Sequence, residues 1–233
     1  MISVILSTNN ELRNNYLAKV LEGIKNQNTE TELITVDNGS IDGTVELCEK
    51  YGRVISFPNS NRAERLNKWL EQIKWNIVVF HHPVSILPKN TFFKIQKKMS
   101  WENIWGAYSH SFDMQNLLLD FTSWYSNNVR GKLKSILYLD HIIFAKTDVV
   151  KKVWGFPNID IFEDTIFSQR MRKISRPVIL NDKIITSARR FTKKWIWKHA
   201  LLNQYLKVMF HLWSWDKKMN TLYEKKEWFN VNY

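Results

Sequence analysis

Short apolar runs alternate with stretches of helical period through the first hundred residues of the chain. Residues 2–7 (ISVILS) form a continuous apolar run suited to a buried parallel strand. Leu12, Tyr16, Leu17, Val20, Leu21 and Ile24 then recur at helical spacing. TELITVD (31–37) precedes a helix from about Gly43. GRVISF (52–57) precedes Ala63, Leu66, Leu70 and Ile73, again at helical spacing, and WNIVVFHH (75–82) supplies a fourth apolar run. Strands alternating with helices predict a parallel sheet covered on both faces. Ligands of such sheets bind at the carboxyl ends of the strands, near the point where strand order reverses. The polar residues after each strand therefore gather at one edge: Ser7, Thr8, Asn10 and Glu11; Asp37 to Asp42; Asn59 to Arg62; His81 and His82.

The second run ends in TVDNGSIDGT (35–44), two aspartates and two glycines where one tight turn would suffice. A carboxylate such as Asp37 at a strand's carboxyl end can accept hydrogen bonds from a ribose hydroxyl or a base N–H. Gly39 and Gly43 permit positive φ and close backbone approach. Ser40 or Asp42 can cap the following helix, leaving its N-terminal dipole facing an anion. The same residues also suit a polar loop with a good N-cap.

With 233 residues, 44% hydrophobic and 24% charged, the chain has a globular composition that fits one large α/β domain or two small ones. Its 34 Lys and Arg against 22 Asp and Glu leave a formal charge of +12, which favours phosphates, nucleic acid or an anionic membrane surface as partners. The single cysteine, Cys48, excludes an internal disulfide and a multi-cysteine zinc site, and its helical context marks a small core residue. A reducing compartment is the simpler reading. MISVILSTNN lacks the basic region of a signal peptide, so the chain is expected to start inside its fold and to be cytoplasmic. No run of about 18 apolar residues is present to span a bilayer, and there is no internal repeat or low-complexity segment.

SVILSTNNE, VDNGSIDGT and WGFPNIDIFEDTIFSQRMRK resemble the family-2 glycosyltransferases of the GT-A fold, as opening strand and nucleotide loop, second-strand motif, and acceptor-side segment ending in Glu-Asp. SNRAERLN, FHHPVSILP and TSARRF are similar to a small bacterial subgroup with Gly-Arg-Ala, Phe-Leu-His-Ala-Asp and Ser-Ala-Arg-Arg segments in this order. The resemblance implies an α/β, Rossmann-like and mostly parallel sheet flanked by helices. It implies a GT-A domain over residues 1–190, with a nucleotide-binding half (1–90) and an acceptor half (91–190), and a helical extension over 191–233. The implied reaction moves a hexose from a UDP- or GDP-sugar to a hydroxyl of a glycan or lipid acceptor, with inversion.

Carried over by position, the resemblance puts Thr8 and Glu11 against the base, Asp37 on the base or ribose with Ser40 and Asp42 in the same loop, and Arg62 over the nucleotide. Read alone, Arg62 is an exposed arginine at a helix start. Asp164 would be the general base for the acceptor hydroxyl, with Glu163 beside it, because adjacent carboxylates can hold one raised pKa near neutrality. Without the resemblance the pair is an N-cap and a favourable charge at the start of the helix EDTIFSQRMRK. Arg189 and Arg190 follow the apolar strand PVILNDKIIT and resemble the paired arginines near the diphosphate, where guanidinium groups grip phosphate oxygens bidentately. Alone they are two solvated arginines. Asp140 falls where the subgroup has Gly-Asp-Gln, an acceptor-side position, although Leu139 and His141 replace the flanking pair.

The family also implies a divalent cation, Mn²⁺ or Mg²⁺. Where relatives read His-Ala-Asp after the fourth strand, this chain reads His82-Pro83-Val84, so the expected aspartate ligand is missing. Three readings remain open. His82, with or without His81, helps bind a metal; Arg189, Arg190 and lysines neutralise the diphosphate instead; or the site has decayed. His81 and His82 also suit satisfied histidines at a strand end.

Between Arg189 and Lys218, eight basic residues stand against Asp216, a local balance of +7, interleaved with Trp195, Trp197, Trp213 and Trp215. Phe191, Trp195, Leu202, Tyr205, Leu206, Met209, Leu212 and Trp213 recur at near-helical spacing. Such a helix suits the interface of an anionic membrane at its inner face, or packing on the domain or a second subunit as a homo-oligomer. Three function classes follow: a glycosyltransferase; a degenerate relative that binds nucleotide or glycan without efficient turnover; and a basic nucleic-acid-binding protein. The third is disfavoured, because the signature residues cluster at strand ends and not as aromatics on an open sheet face.

Overall fold

The computed structural model describes residues 1–13, 15–70, 72–99, 102–189, 191 and 205–210. Its strands are β1 (Ile2–Thr8), β2 (Thr31–Asp37), β3 (Arg53–Ser56), β4 (Ile77–His81), β5 (Ser85–Ile86), β6 (Trp105–Phe112), β7 (Ile143–Lys146) and β8 (Val178–Thr186). The α-helices are α1 (Tyr16–Lys25), α2 (Thr44–Glu49), α3 (Arg62–Asn67), α4 (Thr91–Lys98), α5 (Leu117–Trp124), α6 (Thr147–Lys152) and α7 (Glu163–Met171). Among the described residues the strands form one 8-stranded sheet in the order β3-β2-β1-β4-β7-β6-β8-β5.

β1 pairs in parallel with both β2 and β4, and β2 pairs in parallel with β3. Strand order therefore reverses between β1 and β4, which opens a crevice at their carboxyl ends. β7 runs antiparallel to β4 and β6, and β5 antiparallel to β8, while β6 and β8 are parallel. Only β5 and β7 oppose the common direction, so the sheet is mostly parallel, as expected. The alternation of β1 divides its side chains between two cores. Ile2, Val4 and Leu6 pack with Leu17, Val20, Leu21 and Ile24 of α1. Ile5 faces the other way, into the cluster holding Ala63 and Leu66 of α3. This explains why all seven β1 residues are buried and why the run has no polar alternation.

Several boundaries differ from the sequence pattern. The stretch at Leu12 is a 3₁₀ turn (Glu11–Arg13) before α1. The helix expected over Ala63 to Ile73 is regular only to Asn67, and Leu70 and Ile73 are buried from the turns that follow. After α5 the chain continues in a wider π-type winding over Tyr125–Leu133, which turns Ser126 and Arg130 toward the carboxyl edge of the sheet. Residues 205–210 are helical, and Leu206 packs on Ile161 with Phe162, Met209 and Phe210 around it. Trp195, Trp197, Leu202, Leu212, Trp213 and Trp215 of the expected stripe lie outside the described residues.

At Gly106 the β6 backbone passes so close to β8 that a Cβ would sit 2.1 Å from the Val178 carbonyl oxygen and 2.9 Å from Phe144 Cζ. Gly106→Ala should therefore destabilise the fold by at least the ~1–3 kcal/mol typical of overpacking. Urea unfolding monitored by circular dichroism checks this, and a wild-type midpoint would mean that the strands can part at this point without cost.

Candidate functional site

Asp37 ends β2 with its carboxylate fully buried. Thr8 Oγ1 donates to Oδ1 at 2.7 Å, and Ser40 donates to Oδ1 through its hydroxyl and to Oδ2 through its backbone N–H, both at 2.6 Å. A carboxylate has about four acceptor positions, so about one remains open, on Oδ2. Gly39 and Gly43 adopt φ of 79° and 90°, as the motif predicts. The N-cap of the following helix is Gly43, without a side-chain capping bond. Asp42, one residue before it, accepts Thr44 N–H at 3.1 Å and the Thr44 hydroxyl at 2.6 Å, and its other oxygen takes Leu12 N–H at 3.0 Å. Asp42 is thus not the N-cap expected from the sequence, and neither is Ser40. Asp37 captures its hydroxyl, whose oxygen in turn accepts Asn10 N–H at 2.7 Å. The two loops expected to hold a nucleoside are thereby tied to each other.

The second cluster is built by helix starts. Asn61 and Glu64 form a reciprocal capping box at α3, which fixes the direction in which Arg62 leaves the helix. Arg62 Nε donates to Glu163 Oε1 across the crevice. Glu163 is fully buried, the first residue of α7, and follows Phe162 in a left-handed conformation at φ 65°. The neighbouring Asp164 is also buried, and its partner is Leu139 N–H at a long 3.4 Å. Burial pushes the Asp164 carboxyl up to about 7, with the Glu163 charge adding to the rise and Arg62 opposing it.

A cavity of about 250 Å³ opens between these elements. Arg62, His82, Val84, Asp140, Asp164 and Arg189 all line it, so six positions singled out from the sequence meet at one place. Thr8, Glu11, Asp37, Ser40 and Asp42 stand outside its wall, but Arg189 joins the two groups through an ion pair with Glu11 at 3.0 Å. Arg190 lies outside the described residues. Val84 presents only aliphatic carbon to the cavity, so a hard oxygen site of the family type does not fit this strand end. The wall also holds His110, Arg130, Tyr138 and Lys207, which the sequence reading missed. Burial, with Arg130 adding, pushes Lys207 down to about 8.

Behind Asp140, His110 and His141 are buried at 1% and 2% exposure with ring centroids 4.3 Å apart. One ligand atom from each of His110, Asp140 and His141 lies within 4.8 Å of the others. Burial works to raise the Asp140 carboxyl, but His110, His141 and Arg130 outweigh it and hold the group below the ordinary carboxylate range. Burial also pushes His141 down to about 3 and His81 to about 4, leaving both imidazoles neutral at pH 7. The one signal in the sequence was the adjacency of His141 to Asp140.

The sequence profile described as glycosyl transferase family 2 matches residues 3–143. No curated protein sequence matches the chain. Among solved structures, S. aureus TarS 1–349 in complex with UDP-GlcNAc aligns at 20% identity and a TM-score of 0.65, over 80% of this chain and 58% of that one. The chain spans only 36% of the longer TarS structure. The mannosyltransferase PcManGT from Pyrobaculum calidifontis, in complex with GDP-Man and Mn²⁺, aligns at 18% identity and a TM-score of 0.57, over 79% of this chain and 56% of that one. Glucosyl-3-phosphoglycerate synthase from Mycobacterium tuberculosis, with Mn²⁺, UDP and glucosyl-3-phosphoglycerate, aligns at 17% identity and a TM-score of 0.57, over 79% and 70% of the two chains. At these identities the likeness establishes the fold, an α/β sheet of the GT-A type.

The raised Asp164 has a consequence for stability that needs no substrate. Its folded pKa of about 7 lies above the ordinary 3.8, so its contribution is full below about pH 4 and lost as pH rises to about 7. Asp164→Asn, which cannot ionise, should therefore gain in Tm relative to the natural chain across that window and keep the gain above it. Thermal unfolding from pH 4 to 8 checks this; a Tm difference independent of pH would show that Asp164 titrates normally.

Proposed function

The chain belongs to glycosyl transferase family 2, and we propose that it moves a sugar from a nucleoside diphosphate sugar to an acceptor hydroxyl with inversion at the anomeric carbon. The observation that carries this reading is Asp164, a carboxylate in a cavity wall with a pKa of about 7, beside a Glu163 already engaged by Arg62. A base poised near neutrality is what an acceptor alcohol requires. In the proposed step the hydroxyl passes its proton to Asp164 as its oxygen attacks the anomeric carbon. The bond to the diphosphate breaks on the opposite face, and the nucleoside diphosphate leaves with the electron pair.

The charge on the leaving group is met by cations. Arg189 and Arg190 are assigned to the diphosphate, with Arg62 and Lys207 on the cavity wall that Arg189 also lines. Asp37, with Thr8, Glu11, Ser40 and Asp42 in the linked loops, is assigned to the nucleoside, and Asp140 to the acceptor side. The UDP-GlcNAc and GDP-Man bound in the structural neighbours support a UDP- or GDP-sugar donor. Because the residues at the β4 end do not fit a hard cation, no step is routed through one.

A lipid-linked acceptor at an anionic membrane surface is supported by the charge of +12 and by Leu117, Phe121 and Trp124, exposed on one face of α5 beside the cavity. Among the described residues no helix is long and apolar enough to cross a membrane. Val84 favours a second reading, a family member that binds nucleotide sugar without efficient turnover.

Turnover of UDP- and GDP-sugars should rise with pH through a step near 7, as Asp164 ionises, and level off above it. Asp164→Asn should lower kcat by roughly 10²–10⁴-fold, the usual contribution of a general base, while calorimetric donor affinity stays unchanged. Near-normal kcat in the variant would remove Asp164 from the mechanism. Donor binding without turnover in the natural chain would establish the second reading instead.

A further inference from the structure

His110, Asp140 and His141 form a cluster whose ligand atoms face one another from two parts of the fold. His110 comes from β6, while Asp140 and His141 come from the 3₁₀ turn Leu139–His141 that leads into β7. Neither ring nitrogen of His110 has a hydrogen-bond partner, although the residue is 1% exposed. Asp140 Oδ1 is likewise buried and without a hydrogen bond. Polar atoms left in this state cost free energy unless something between them satisfies them.

The remaining member is oriented as a ligand. His141 Nδ1 donates to the Tyr108 carbonyl at 2.9 Å, which fixes the tautomer and leaves the lone pair on Nε2. Histidines that bind metals are held in this way, by a second-nitrogen bond to a carbonyl or carboxylate. Nε2 lies 3.8 Å from Asp140 Oδ1. Two donors at about 2.1 Å from a tetrahedral ion are roughly 3.4 Å apart, so the cluster needs a contraction of only tenths of an ångström at this pair. Nε2 also accepts the Ser126 hydroxyl at 2.7 Å, and that hydroxyl would turn its proton away on binding.

We propose that His110, Asp140 and His141 bind a borderline transition-metal ion of the Zn²⁺ class, with the cavity supplying the fourth position. Two imidazoles and one carboxylate suit Zn²⁺, Co²⁺ or Ni²⁺, whereas Mg²⁺ requires an oxygen-rich octahedron. The Asp140 carboxylate and the lone pairs of the imidazole nitrogens suit a cation. Arg130 opposes it, donating to Ser126 and lying against the Tyr138 ring at 3.9 Å. The site is distinct from the position of Val84, and His82 lines the same cavity. The proposal does not rest on sugar transfer, since its readout is metal content.

The full chain, stripped with chelator and dialysed separately against Zn²⁺, Co²⁺ and Mg²⁺, should retain one Zn²⁺ or Co²⁺ per molecule and no Mg²⁺. Bound Co²⁺ should show the intense visible d–d bands of a low-coordinate site. His110→Ala and Asp140→Asn should each abolish those bands and weaken Zn²⁺ binding beyond the roughly 10–100-fold expected for losing an outer-shell partner. His82→Ala should leave both intact. No Zn²⁺ or Co²⁺ retained by the natural chain would overturn the proposal even if the variants failed to fold. Binding lost with His82→Ala but kept in His110→Ala would also overturn it, by placing the ion at the end of β4.

Discussion

A carboxylate as deeply buried as Glu163 is tolerated only with a partner, and Arg62 provides it. The two residues are 101 positions apart, so their bond ties the start of α3 to the start of α7 across the crevice. The surrounding polar contacts enforce the same approach. Asn61 Nδ2 donates to Asn158 at 2.6 Å and to Asp160 at 3.2 Å, and Asn158 in turn donates to Glu64 at 3.2 Å. The capping box that starts α3 thus also clamps the loop before α7. Buried ion pairs contribute little net stability against an apolar replacement, yet losing one partner is costly. The pair is best understood as fixing geometry: it decides where Asp164 stands.

From that placement follows a division among three carboxylates, two of which, Asp140 and Asp164, line the cavity. Glu163 takes the guanidinium of Arg62. Asp140 sits among His110, His141 and Arg130, and its pKa lies below the ordinary carboxylate range. Asp164 receives a long bond from Leu139 N–H, and burial, with the repulsion of Glu163 adding to it, outweighs the pull of Arg62, so its pKa rises. Environments that push the Asp140 and Asp164 carboxyls apart in this way separate the group that can exchange a proton near neutrality from the one that stays charged.

The parts of this arrangement that were legible in the sequence are those set by local pattern. β1, β2 and β4 are apolar runs because both faces of the sheet are covered, and Gly39 and Gly43 mark the positive-φ corners of the Asp37 loop. β6 and β7 were not legible. WGAYSHSF carries Gly, Ser and His in a buried strand, since Gly106 admits β8 and the Asn127 side chain bonds the His110 backbone in both directions. IFAK is only four residues long and is a strand because β4 and β6 lie on either side of it. The residues around the cavity could be named from motif order, because strand ends converge. Their partners could not, because Arg62 with Glu163 and Arg189 with Glu11 pair over 101 and 178 positions.

The Glu11–Arg189 pair links the remaining two regions, the nucleotide loop after β1 and the segment after β8. Ser187 Oγ accepts Arg189 N–H at 3.2 Å, and Ser187 N–H reaches the Val84 carbonyl at 3.0 Å, so this segment is anchored beside the β4 end. The two side chains are 21% and 14% exposed, so the pair is only partly screened by solvent. It holds Arg189 on the cavity wall, and a phosphate offers the same guanidinium two parallel charge-assisted bonds in place of one. On the proposed function, exchange of Glu11 for the diphosphate then releases Glu11 toward the base as Arg189 takes the charge. One partner switch would serve both ends of the donor.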